Sequence, residues 1–163
     1  MHDWQTIVHD HGPMAYDTAW RILGNATDTQ DAVQEAFLEA VRIAQTAPIQ
    51  NWGGLLRRLA ARRAIDLLRT RRASRDVISE PVAPARESPQ AVVIGQELAE
   101  RLRAALTKLP QREAEIFSLR YFADLSNTQI AETLNLTAGA VGVALHKART
   151  RLEELLETKE DES

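Results

Sequence analysis

Residues 128–149 read TQIAETLNLTAGAVGVALHKAR, and the spacing of their apolar side chains decides the fold class. Ile130, Ala131 and Leu134 fall on one face of a short helix, and Asn135 to Thr137 make a tight turn plugged by Leu136. Val141, Leu145 and Ala148 resume a stripe that Leu152 and Leu155 extend. A short helix, a tight turn and a second helix buried along one side make a helix–turn–helix, although an ordinary helical hairpin shares the pattern. Thr137 can cap the second helix. Its outward positions are unusual for an element that enters a groove of DNA: Gly139, Gly142, Val143 and Ala144 stand where hydrogen-bonding side chains normally sit.

The rest of the chain also reads as helix. Pro13 suits the first turn of a helix stopped by Gly24 and Asn25. Thr27 or Asp28 can cap the next, whose Ala32, Val33, Ala36, Phe37, Ala40 and Val41 form a stripe closed by Pro48. Asn51 can cap a third helix, running from Trp52 towards Arg72. Its apolar residues change face partway, Leu55, Leu56 and Leu59 giving way to Ala61, Ile65 and Leu68, as in a helix gripped from two sides. Pro81, Pro84 and Pro89, with Asp76, Glu80 and Glu87, then predict a flexible linker. Helix resumes at Pro89 with Leu98, Leu102, Ala105, Leu106 and Leu109 as its inward stripe, and again after Pro110 with Ile116, Phe117, Leu119 and Tyr121. The expectation is an all-α chain of two small helical domains, 1–75 and 94–163. A flexible linker at 76–93 joins them, and the second contains the helix–turn–helix.

Composition narrows the function. The chain has 163 residues and no cysteine, which removes disulfides, thiolate zinc sites and thiol nucleophiles. No apolar run approaches the ~20 residues of a membrane span, and no export signal opens the chain, so a cytoplasmic protein without membrane insertion is expected. There is no glycine-rich phosphate loop and no nucleophile motif, so neither an enzyme nor a cofactor is expected. His9 and His11 lie two residues apart on one helix and point away from each other, which argues against a metal site. The net charge of −3 conceals a strong asymmetry. Residues 57–75 hold eight arginines against the single acid Asp66, whereas residues 153–163 hold six acids against Lys159. Salt screens exposed charges within about 10 Å, so the local block matters more than the average. It is a candidate phosphate-binding face, although a solvated helical face has the same composition.

Three stretches carry a family resemblance. LPQREAEIFSLRYFADLSNTQIAETLNL resembles the C-terminal domain of bacterial RNA polymerase sigma factors, particularly the extracytoplasmic-function (ECF) group. YDTAWRILGNATDTQDAVQEAFLEAV and RRAIDLLRTRR resemble the polymerase-binding core and the basic helix of the N-terminal domain. The likeness runs in order from Tyr16 to Leu156, with the linker where that group has one. It implies binding to core RNA polymerase and promoter DNA, recognition of two promoter elements, and help in melting the one nearer the start. Family members are often held by an anti-sigma protein, so such a partner is also expected. The rivals are a sigma-like adaptor and a helix–turn–helix regulator without full promoter specificity.

The resemblance places polymerase binding on Asp31, Gln34, Glu35 and Leu38, while Val33 and Phe37 read as core. On the basic helix, Arg58, Arg62 and Arg69 recur at i, i+4 and i+11, nearly on one side, and could follow a phosphate track. The family commonly has Asn where this helix has Arg62. No aromatic residue lies between Trp52 and Phe117, so extended stacking of single-stranded bases is not expected. The loop TAPIQN, ending at Asn51 with Trp52 behind it, is the implied place for one captured base. In the C-terminal domain, Thr137, Gly139, Val143, His146, Lys147 and Arg149 are the candidate DNA contacts. With so few hydrogen-bonding groups, the last helix is expected to dock by shape and phosphate rather than by reading bases.

Overall fold

The computed structural model describes residues 3–73 and 89–161, with side chains over 3–73 and 95–157. The acid- and proline-bearing stretch from Asp76 to Ser88 therefore lies outside the described residues. Among these residues seven helices follow one another: α1 (Trp4–Leu23), α2 (Ala26–Thr46), α3 (Trp52–Ala73), α4 (Pro89–Leu106), α5 (Gln111–Tyr121), α6 (Asn127–Leu134) and α7 (Ala138–Asp161). No strand occurs among the described residues.

The first helix begins nine residues before the proline expected to open it, and Pro13 lies inside it. An interior proline removes a backbone hydrogen bond and crowds the preceding turn, at a cost of roughly 3 kcal/mol. Two local features offset that cost. Asp3 caps the helix, accepting from the Thr6 amide at 3.3 Å and the Thr6 hydroxyl at 2.7 Å. Trp4 packs edge-on against Trp52, with ring centroids 5.4 Å apart, and Ile7 joins the core behind it. At the other end Gly24 adopts φ 76°, and its amide donates to the Trp20 carbonyl at 2.7 Å. This left-handed turn makes Asn25, rather than Thr27 or Asp28, the cap of α2: its side chain accepts from the Asp28 amide at 2.9 Å.

α3 lies in two cores in succession, as its rotated apolar faces predict. Leu56, Leu59 and Ala60 pack with Ala15, Ala36 and Ala40 in a small cluster that Trp52, Leu55 and Phe37 border. From the next residue on, Ala61, Ala64, Ile65 and Leu68 enter a larger core with Ala19, Ile22 and Ala32. The alanines let α1, α2 and α3 approach closely. This second core continues without a break through Leu106 and Leu109 to Ile116, Leu119, Ile130, Val141 and Leu145. The two helical groups therefore pack on one another across α3.

The helix–turn–helix is α6 and α7. Ser126 and Gln129 form a capping box at the start of α6, and Asn135 closes it at φ 56°. Thr137 caps α7 by accepting from the Ala140 amide at 3.1 Å. In α4 the inward stripe begins at Leu102, because Leu98 is 54% exposed. Tyr121 likewise stands outside the α5 stripe.

Candidate polymerase and nucleic-acid interfaces

On α2 the burial pattern separates two faces. Ala32, Ala36 and Ala40 are buried, and Val33 and Phe37 pack against the two cores. Asp31, Gln34, Glu35 and Leu38 are all exposed, and Leu38, at 50%, is an unusually open leucine. Asp31, Gln34 and Glu35 edge a shallow cleft of about 270 Å³ against Arg63, Asp66 and Thr70 of α3. Arg63 holds Glu39 at 3.0 Å and Glu35 at 3.6 Å, fixing the acidic side of the cleft. These α3 residues adjoin the site in space but not in sequence, and only the opposite charges along α2 and α3 hint at them.

The basic helix is less free than its composition suggests. Arg58, 33% exposed at its side chain, reaches across to the buried Glu115 of α5 at 3.4 Å. Arg69 donates to the Leu109 carbonyl at 2.7 Å, to the Thr107 carbonyl at 3.4 Å and to the Gln111 side chain. Arg62, between them, is exposed and has no partner among the described residues. Of the three expected phosphate contacts, Arg62 alone is exposed and without a hydrogen-bond or ion-pair partner among the described residues. Other arginines also join the halves. Arg21 donates to the Phe122 carbonyl and pairs with Asp124, both at 3.0 Å. Arg72 pairs with Glu100. Arg103 donates to the Ile22 carbonyl at 3.0 Å. Burial pushes the Arg103 guanidinium below its ordinary pKa, with Glu100 opposing the shift.

The loop before α3 is also approached from the other half. The Asn51 side chain accepts from the Gly54 amide at 2.9 Å and so caps α3 as expected. Trp52 is half-buried against Trp4 rather than open to a base. Ile43, Pro48, Ile49, Gln50 and Leu55 line one wall of a groove of about 530 Å³, with Glu132 and Thr133 of α6 on the other. At Gly54 a Cβ would stand 2.8 Å from the Thr133 hydroxyl, so glycine permits this close approach.

On α7 the expected DNA face is open. Gly139, Val143, His146 and Lys147 are exposed, with Val143 at 57%. A Cβ at Gly142 would meet nothing within 4 Å, so packing does not require that glycine. Arg149 differs from these: its Nε donates to the Tyr121 hydroxyl at 2.7 Å.

The chain is thus all-helical, with an exposed polar face on α2, an arginine-rich α3 and a C-terminal helix–turn–helix. The family model described as Sigma-70 region 2 matches residues 7–74, and that described as Sigma-70, region 4 matches residues 99–152. The chain is 30% identical over 160 residues to RNA polymerase sigma factor SigV of Bacillus subtilis, spanning 96% of this chain and 92% of that protein. It is 26% identical over 162 residues to the ECF RNA polymerase sigma factor SigW of the same species, spanning 92% of this chain and 87% of SigW. To the ECF RNA polymerase sigma factor SigE of Mycolicibacterium smegmatis it is 29% identical over 160 residues, 96% of this chain but 62% of that longer protein. The fold also matches CnrH, solved in complex with the cytosolic domain of CnrY, with a TM-score of 0.58 and 21% identity over 94% of this chain and 87% of that one. It matches sigma factor RpoE of Bartonella quintana, solved with the anti-sigma factor NepR, with a TM-score of 0.57 and 19% identity over 96% of this chain and 98% of that one. The chain belongs to the ECF group of sigma-70-type RNA polymerase sigma factors, which direct polymerase to promoters and are not enzymes. No helix among the described residues is long and apolar enough to cross a membrane.

Proposed function

We propose that this chain acts in the cytoplasm, binds core RNA polymerase through the exposed side of α2, and directs it to promoters with two elements. Residues 1–75 would dock the polymerase and engage and help melt the element nearer the start. Residues 94–163 would dock at the distal element, with the expected linker 76–93 as the tether, shortened at its far end because residues 89–93 already belong to α4. The observation that carries this reading is the exposure of Asp31, Gln34, Glu35 and Leu38 together, on a helix whose other side is sealed by alanines. A polar rim around one open leucine is the composition of a protein-binding helix face.

DNA binding along the whole arginine row of α3 requires a rearrangement. Arg69 can take a phosphate only after leaving the carbonyls of Thr107 and Leu109, and the Glu115 carboxylate offsets the charge of Arg58. Arg62 needs no such exchange. On α7, Thr137, Gly139, Val143 and His146 would provide shape and backbone approach, and Lys147 and Arg149 phosphate contacts. Because CnrH and RpoE were solved with CnrY and the anti-sigma factor NepR, a protein inhibitor of this chain is part of the proposal.

The test is co-elution of the purified chain with bacterial core polymerase at low salt. A variant carrying Gln34→Ala, Glu35→Arg and Leu38→Ala is expected to bind at least about tenfold more weakly. Equal binding by the variant contradicts the assignment of α2. The open, apolar character of Gly139, Gly142 and Val143 favours one second reading, an adaptor that binds polymerase without selecting promoters.

A further inference from the structure

We propose that Tyr121, on α5, is a positioning residue that holds Arg149 of α7 in place to grip a DNA backbone phosphate beside the groove that α7 enters. The inference rests on the docking of α7 argued above and adds a residue to it. Tyr121 is 41% exposed although its helix is otherwise one of the most buried in the chain. Its ring packs on Phe117, with centroids 4.7 Å apart, which fixes the phenol. The hydroxyl accepts from Arg149 Nε at 2.7 Å, and the Arg149 guanidinium carbon lies 5.5 Å from the ring centroid. A guanidinium carries five N–H donors in a planar fork. Tyr121 uses the one on Nε, and the four on Nη1 and Nη2 have no partner among the described residues.

The contrast with neighbouring cations is informative. Arg151 of α7 pairs with Glu113 at 2.9 Å, and Arg21 with Asp124 at 3.0 Å. Arg149 pairs with no carboxylate among the described residues, so its charge is anchored without being neutralised. Arg120 adds a second guanidinium, 5.7 Å from the same ring. Along α7, Gly142, His146 and Arg149 follow at i, i+4 and i+7, one row on the helix surface. A strand passing along that row meets open space at Gly142, then the exposed His146 and the exposed Arg149, whose Nη groups are unpaired. An arginine held by a neutral partner has already lost much of its side-chain freedom, so less is lost when a phosphate binds. The Tyr121 hydroxyl still has its own proton to donate to the same anion. Unlike Arg58 and Arg69, this pair is accessible in the present arrangement.

A phosphate contact is independent of base sequence, so the full chain can be tested by fluorescence anisotropy on a short mixed-sequence duplex across a salt series. Tyr121→Phe keeps the ring on Phe117 and removes the acceptor. It is expected to weaken binding about three- to tenfold without moving the thermal midpoint. Arg149→Ala should weaken binding at least as much and lower the salt slope by about one. In the double variant, Tyr121→Phe should add nothing further. Additive losses, or an unchanged affinity for Tyr121→Phe while Arg149→Ala binds poorly, overturn the positioning role. A thermal midpoint lowered by Tyr121→Phe overturns it as well, by making the effect structural. Should Arg149→Ala and Lys147→Ala both bind as the parent chain does, the docking of α7 itself fails.

Discussion

One side chain is enough to secure the start of a helix. Caps at Asn51 and Thr137 follow from side chains that satisfy the first free amides of a helix, and both are made as expected. The partners of Arg58 and Arg69 were not legible, since nothing in local pattern marks an arginine that will donate to a carbonyl far along the chain. Gly142 and Gly24 make opposite predictions. Gly142 sits in a helix interior with open space around its Cβ position. Gly142→Ala should therefore raise stability by about 0.5–1 kcal/mol in chemical denaturation. Gly24 adopts φ 76°, and an added Cβ would overlap the Arg103 guanidinium. Gly24→Ala should lower stability by about 1–3 kcal/mol in the same assay. On DNA, Lys147→Ala should weaken binding evenly across sequences, and no single substitution on this face should switch the preferred base.

Helices were readable where an apolar stripe persists over several turns, as in α2, α3 and α7. The start of α1 was not, because what extends it past Pro13 is a tertiary contact, Trp4 on Trp52, together with the Asp3 cap. That cap gives α1 a pH dependence. Hydrogen bonds from the Thr6 hydroxyl and amide hold the Asp3 carboxyl below its ordinary value. A depressed folded pKa contributes stability above the unfolded value and loses it as pH falls through the folded value. The first turns of α1 should accordingly fray under acid, and the fluorescence of Trp4 and Trp52 should report it. Asn also caps helices but does not titrate in this range, so Asp3→Asn should remove that acid-dependent component while leaving the neutral-pH signal in place.

At the scale of the whole molecule, periodicity showed that α3 has two covered faces without showing what covers the second. The answer is the C-terminal half. A continuous core passes between the halves, and arginines from both sides donate to carbonyls and acids across the junction. α3 thus presents its polymerase-side neighbour α2 outward while much of its arginine row is engaged internally. Two substitutions separate these roles. Arg69→Ala strands the carbonyls of Leu109 and Thr107 and should lower stability by about 1–3 kcal/mol. Arg62→Ala should leave stability within about 0.5 kcal/mol of the parent and weaken promoter binding instead. Denaturation and DNA binding measured on both variants distinguish a junction residue from an open phosphate contact.

The most direct measurement is the mapping of RNA start sites made by purified core polymerase on genomic fragments, with and without this chain. Discrete new starts that appear only with the chain, and disappear in the Gln34→Ala, Glu35→Arg, Leu38→Ala variant, are the predicted result. Tight association with core polymerase that yields no new start on any fragment would contradict promoter selection by this chain.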